Sequence, residues 1–384
     1  MERQEQVQEA NKKISCDVRS TDQIPDDAIE EILKASSVET LARFRCVSTQ
    51  YASMIRSREF IKSHLIKSST RPLRSLIFTF MEMDGLGNQF VFSASQPQNQ
   101  GESSSSATYH MSCQNQLHTT SSASVHGLFC HGKMEIYNPS TRKSITLPNS
   151  SADYIYLGYD PIDGDYKVLC LVKAQDLRVL TVGKDTFWRK IQDFPPHFRC
   201  SPYSPDLSLN GVLYYGVYHH LPDGILLHPD HLIPAIMSFD VRSEKFDLIN
   251  LPELPDNVMH PILTTYEGRL AFFCNTRHGD STFILWVLDD AVKHEWSKHL
   301  YVPPPLDGHT YDDFLAFCFT DGGEFVLAPR LFRSEEPFYV VYYDIKKNAV
   351  RRVFIEELFT ELDEETFYMT QSIFPGQIDN PMFL

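Results

Sequence analysis

Four histidines and a carboxylate crowd one short stretch of this chain, His219-His220 and then His228-Pro229-Asp230-His231. Imidazole and carboxylate are the ligands a borderline metal takes. A site needs three or four of them convergent, each held by a further partner. Here they fall on an expected loop, so solvent-facing histidines are the favoured reading, and no metal ligand is assigned. The acidic run Glu361-Leu362-Asp363-Glu364-Glu365 could attract a basic partner, although a solvated charge run is the commoner case. Asp240, Asp289 and Asp344 fall at expected hairpin turns, where Asp is favoured because its side chain bonds the turn backbone. That makes them structural. Trp188, Phe246 and Trp296 end expected strands and read as core. No Gly-rich phosphate loop, H-E-x-x-H or G-x-S-x-G occurs. No catalytic residue and no cofactor is therefore assigned.

The eight cysteines are scattered singly, without a C-x-x-C, and most lie inside apolar runs such as Val168-Leu169-Cys170-Leu171. That usage fits a reducing compartment better than a disulfide framework. The polar N-terminus has no apolar leader, and no apolar run approaches the ~20 residues of a membrane helix. A protein of the cytosol or nucleus, off the membrane, is expected. A formal charge of −15 argues against nucleic-acid binding, which needs basic patches. With 384 residues, 42% of them hydrophobic, the chain has room for a small domain and a large one.

Two kinds of element must position whatever chemistry there is. Residues 1–20 are polar without periodicity and read as a disordered tail. The stretch 21–66 is helical. Ile24-Pro25 opens it, as Pro suits a helix start. Ile29, Ile32 and Leu33 make one apolar face; Val38, Leu41, Phe44 and Val47 make a second. Tyr51, Met54, Ile55, Phe60, Ile61 and Leu65 make a third. Three short helices cannot bury all of this against each other, so a docking surface for another protein is expected.

From 73 to 380 the pattern turns to strands. Residues 96–124 are rich in Ser, Gln and Asn and read as a polar loop, with at most a short strand at Thr108 to Met111. Beyond it, Gly-led apolar strands recur at Gly127, Gly211, Gly268 and Gly323. Each is followed by a hairpin with Asp or Asn at its turn, near Asn138, Asp240, Asp289 and Asp344. The period of about 50 residues is that of propeller blades, five copies being visible and six or seven possible. The fold class is mainly β: a small trihelical unit, then a β-propeller-like domain.

The helical stretch resembles an F-box. The likeness is carried by Ile24, Pro25, Asp27, Glu31, Ile32, Leu33, the run Leu41-Ala42-Arg43-Phe44-Arg45-Cys46-Val47-Ser48, and Phe60. It departs at Ala28, Ser36-Ser37 and Tyr51, where family members usually carry Leu, Leu-Pro and Trp. The strand region resembles the F-box-associated domain of plant F-box proteins. The matching stretches are Ser124-Val125-His126-Gly127-Leu128, Asn138-Pro139-Ser140-Thr141-Arg142, Gly158-Tyr159-Asp160-Pro161 and Tyr166-Lys167-Val168-Leu169-Cys170. Phe239-Asp240-Val241-Arg242-Ser243-Glu244-Lys245-Phe246, Trp286-Val287-Leu288-Asp289-Asp290 and His294-Glu295-Trp296-Ser297-Lys298 extend the match. The resemblance implies a non-catalytic substrate receptor of an SCF-type ubiquitin ligase. Its F-box would dock a Skp-type adaptor and, through it, cullin and RING subunits. Its β domain would recruit a target. The implied adaptor-binding residues are Ile24, Pro25, Ile29, Ile32, Leu33, Val38, Leu41, Val47 and Tyr51. A propeller enzyme, or a receptor whose adaptor contact has weakened, remains the alternative.

Overall fold

The computed structural model describes residues 24–382 apart from 72–73, 84–86, 98–100, 102, 115–122, 132–133, 151, 153, 174–175, 200–205, 221–231, 255–257, 277–281, 307–308 and 360–365. The N-terminal tail 1–20, His228, Asp230, His231 and the acidic run 361–365 lie outside the described residues.

Four helices come first: α1 (Asp26–Ala35), α2 (Val38–Val47), α3 (Thr49–Arg56) and α4 (Arg58–Ser69). The third expected helix is two, broken at Ser57, which is extended (φ −67°, ψ 147°) and caps α4 by accepting from the Phe60 N–H at 3.2 Å. Ser37 and Ser48 cap α2 and α3 in the same way, each satisfying a donor the helix leaves free. Pro25 stands just before the first residue of α1. Leu33, Leu41, Ile55 and Phe60 form the buried core, with Ile29, Phe44 and Met54 against it.

The strands form four separate sheets and a nine-stranded one. The nine-stranded sheet is two blades, joined where Phe354, Ile355 and Glu356 pair in parallel with Ser104, Ser105 and Ser106. With the four separate sheets this makes six blades among the described residues. Blade 1 holds Ser75–Glu82, Asn88–Ser95 and Ser104–Gln114, and blade 2 holds Phe129–His131, Glu135–Asn138 and Lys143–Thr146. Blades 3, 4 and 5 follow at 154–190, 197–250 and 258–301, and blade 6 at 314–356. The ring closes through Phe367–Gln377, which pairs antiparallel with Ser75–Glu82. Six apolar clusters fill the six joints between neighbours. Ile77 and Val91 meet Phe129 and Tyr137 between blades 1 and 2; Phe78 and Phe80 meet Phe338 and Val340 between blades 1 and 6. Each sheet thus buries both faces against its neighbours, and closure leaves few open edges.

The strand Ser104–Gln114 occupies eleven residues of the segment expected as a polar loop. Its serines pass as loop composition, yet its backbone is paired along Asn88–Ser95.

The repeat is visible in its turns. Asn138, Asp160, Asp240, Asp290 and Asp344 each accept backbone N–H bonds from two or three residues on. Four residues later Arg142, Gly164, Glu244, His294 and Asn348 all take left-handed φ, between 49° and 73°. A turn ending in a left-handed residue is one of the standard hairpin connections. In blade 5 the turn carboxylate is Asp290 and not the expected Asp289, whose side chain pairs with Arg269 at 2.8 Å. Gly127, Gly211 and Gly268 each follow another left-handed residue, the two-residue hairpin geometry that demands positive φ twice.

Candidate functional site

The helical unit exposes what its core leaves over. Ile24 (54% exposed), Ile32 (51%) and Val47 (72%) stand outward, with Pro25 and Cys46 also exposed. A hydrogen bond from Gln50 Nε2 to Asp26 Oδ1 (3.3 Å) draws the start of α3 to the start of α1. The inferred binding residues therefore divide. Ile24, Pro25, Ile32 and Val47 face solvent, whereas Leu33, Val38 and Leu41 are buried inside the unit. Ile29 and Tyr51 are half-buried; Ile29 packs on the core and Tyr51 sits edge-on to Phe44 at 6.1 Å. An exposed apolar set of this kind on a helical unit invites a protein partner.

Ser36 lies four residues beyond Ile32, and its hydroxyl bonds the Ile32 carbonyl at 2.9 Å. Its own carbonyl accepts from Arg71 (2.9 Å) and from His64 Nε2–H (3.0 Å). Burial, ahead of the neighbouring Arg71 charge, pushes the His64 pKa down and keeps the ring neutral. Ser37 caps α2. The departures at 36 and 37 thus have work of their own in this chain.

α4 is fastened to the ring. Lys62 Nζ donates to the Ile162 carbonyl at 2.7 Å, and Arg58 pairs with Asp165, both on blade 3. Asp165 also takes Lys184 at 2.6 Å. Beyond α4, Arg71 lies 3.7 Å from Asp379 and Arg74 3.4 Å from Asp321. The contacted turns, 161–164 and 320–323, are short. In antiparallel blades the alternate connections emerge at the opposite face. Those joining one blade's last strand to the next blade, or its second strand to its third, are longer, as between Tyr301 and Phe314 and at 330–338. Long connections on a rigid scaffold are where binding residues collect.

The signature motifs of the strand region converge on the chain's end. Asn380 is fully buried; its amide donates to the His126 carbonyl (2.9 Å) and the Tyr166 hydroxyl (3.1 Å). Asn138 donates to the carbonyls of Asn380 (3.0 Å) and Met382 (2.7 Å). A Cβ on Gly127 would sit 2.7 Å from the Ile378 carbonyl, so only glycine admits the tail there. Sequence reasoning missed Asn380, because its partners His126 and Tyr166 lie more than 200 residues away.

Of the histidine cluster, only His219 and His220 fall within the described residues. His219 lies within the strand Val212–His220, and among the described residues no group of three His, Cys, Asp or Glu side chains could hold a metal. The six described cysteines are unbridged. No described helix is long and apolar enough to cross a membrane.

Comparison with known proteins agrees with this architecture. The F-box domain family matches residues 22–63 and the F-box associated beta propeller domain family matches 75–378. F-box protein At2g21930 of Arabidopsis thaliana is 45% identical over 97% of this chain and 96% of its own length. F-box protein DOR of the same plant is 33% identical over 92% and 93%. Among solved structures, TolB from Acinetobacter baumannii aligns over 79% of this chain and 66% of its own at 10% identity and a TM-score of 0.32, a likeness that says nothing of function. Helical unit, six-bladed ring and relatives agree: the chain belongs to the plant F-box proteins that carry an F-box associated β-propeller domain.

Proposed function

We propose that this chain is the substrate-recognition subunit of an SCF-type ubiquitin ligase, without an active site of its own. The helical unit docks a Skp-type adaptor, which brings cullin and RING subunits. The propeller holds a target protein. The reading is carried by one observation: Ile24, Pro25, Ile32 and Val47 stay exposed on a unit whose core is already complete. Catalysis by such a subunit is proximity. Holding a target lysine near the ubiquitin carrier raises its effective concentration, which can reach the millimolar range for short connections. The fastened α4 supports this role, because a fixed joint holds the target in one place relative to the adaptor. The scattered cysteines support a cytosolic or nuclear setting.

Affinity capture from plant extract tests the reading. The full chain should retain adaptor and cullin, and the double variant Ile32→Asp, Val47→Asp should lose both while keeping proteins held by the propeller. Retention of adaptor and cullin by that variant would refute the docking role.

A further inference from the structure

A cavity of about 310 Å³ lies between blades 6 and 1, lined by residues from 332–338 and 354–359. It is at the low end of ligand-pocket volumes, room for one bulky side chain. Its place is the face away from the helical unit. The strand Glu324–Pro329 starts beside the turn near Arg74, at Asp321, and ends toward the connection that carries Phe332 and Phe338.

The floor is apolar: Phe332, Phe338, Ile355 and Phe359 are buried and Phe354 is 41% exposed at the rim. The rim is acidic, with Glu335, Glu336, Glu356 and Glu357 in the lining; Arg333 beside it reaches Glu335 at 3.8 Å, and its backbone N–H donates to Glu336 at 3.3 Å. The floor is preformed. Glu357 and Phe359 both take left-handed φ, 63° and 54°, uncommon for such side chains. The Phe359 ring holds that turn in place, stacked on Tyr368 at 3.9 Å and packed against Phe92 at 5.0 Å and Phe90 at 5.5 Å. Backbone held in a sparse region by its surroundings is a known mark of binding sites.

We propose that this groove is where the target docks. Its occupant is a basic segment of the target with one aromatic side chain, the ring on the Phe floor and flanking Lys or Arg on the rim carboxylates, Glu356 and Glu357 first. Charge complementarity selects this occupant: an acidic segment would set like charges together, and a purely apolar one would leave the carboxylates facing hydrocarbon. Arg and aromatic side chains are also the usual anchors of protein interfaces. The proposal rests on the receptor reading above and names the target's chemistry.

The test uses the full chain and a fluorescent twelve-residue peptide of Lys and Arg around a single Phe, read by anisotropy. Glu335→Lys, Glu356→Lys should weaken binding about tenfold or more, and Phe354→Ala several-fold. The remote pair Asp193→Lys, Glu253→Lys makes the same change in net charge and should leave binding within about twofold. Replacing the peptide's Phe by Ala should weaken it as Phe354→Ala does. Equal loss in the remote pair would mean non-specific attraction to an acidic protein and would overturn the proposal, as would unchanged binding in the groove variant. Adaptor capture by the groove variant, measured on the same samples, should persist; its loss from the unaltered chain would count against the receptor reading and not against the groove.

Discussion

Arg58 of α4 and Asp165 of blade 3 are paired across the joint between the helical unit and the ring, and Asp165 holds Lys184 as well. The Asp165 carboxylate is 9% exposed while Arg58 (46%) and Lys184 (49%) reach solvent, so the pairs are partly screened. Lys62, bonded to the Ile162 carbonyl, adds a second tie between α4 and blade 3.

Asp165→Ala should loosen that joint without unfolding either domain. Hydrogen exchange should speed in α4 and in 161–165, by an amount matching roughly 1–3 kcal/mol of lost interaction. Adaptor affinity should not change, while target ubiquitination in a reconstituted ligase should fall. Unchanged exchange in α4 would mean the joint is held by other contacts.

Asn380→Ala should destabilise the ring. It takes the donor from the His126 carbonyl in a buried place and leaves the Tyr166 hydroxyl only its contact with His126 Nδ1 at 3.3 Å, at about 1–3 kcal/mol. The melting temperature should fall by a few degrees, on the order of 2–4 °C per kcal/mol for a large domain. A melting temperature equal to that of the unaltered chain would show that closure does not depend on the tail.

Acid should weaken the fold in a defined window. Burial pushes His110 and His126 down to about 4, and lowers His64 and His197 as well. A histidine kept neutral in the folded state contributes stability that is full above its unfolded value, about 6.5. That contribution falls as the unfolded chain takes up protons below 6.5, and is lost by the folded value near 4. Urea midpoints should drop between pH 6.5 and 4. His126→Gln should flatten part of that slope; an identical slope in the variant would remove His126 from the account.

The two serines before α2 separate two effects. Ser37→Pro suits the backbone at φ −70° and limits the unfolded chain, a gain of about 0.4–1 kcal/mol, but it deletes the cap, a loss of about 1. Its net effect on stability should be near zero. Ser36→Leu extends the exposed face from Ile32 by one helical turn and should tighten adaptor binding about tenfold if the side chain is covered. Titration of each single variant against purified adaptor distinguishes them.

How far the sequence discloses this depends on the range of the contacts. Gly127, Gly211 and Gly268 announce their hairpins because the left-handed backbone is a local demand. The turns ending at Arg142, Glu244 and His294 are harder to see, since those side chains do not advertise positive φ. Their signal is the Asn or Asp four residues earlier. Pairing of Phe367–Gln377 with Ser75–Glu82 has no local sign at all. In the helical unit, periodicity finds the apolar residues but not which of them the core consumes. Leu33 and Ile32 are neighbours with the same character; one is fully buried and the other half exposed. The groove at Phe354 is invisible for a similar reason, because its walls come from two connections whose charges read as ordinary surface.

That division of Leu33 from Ile32 is what a single titration tests most directly. Calorimetric titration of purified Skp-type adaptor into the full chain, unaltered and as Ile32→Asp, gives affinities while a thermal melt of each reports the fold. Ile32→Asp should lose about 30-fold or more in affinity, the scale of one interface anchor, with an unchanged melting temperature. Equal affinities for the two chains would contradict this.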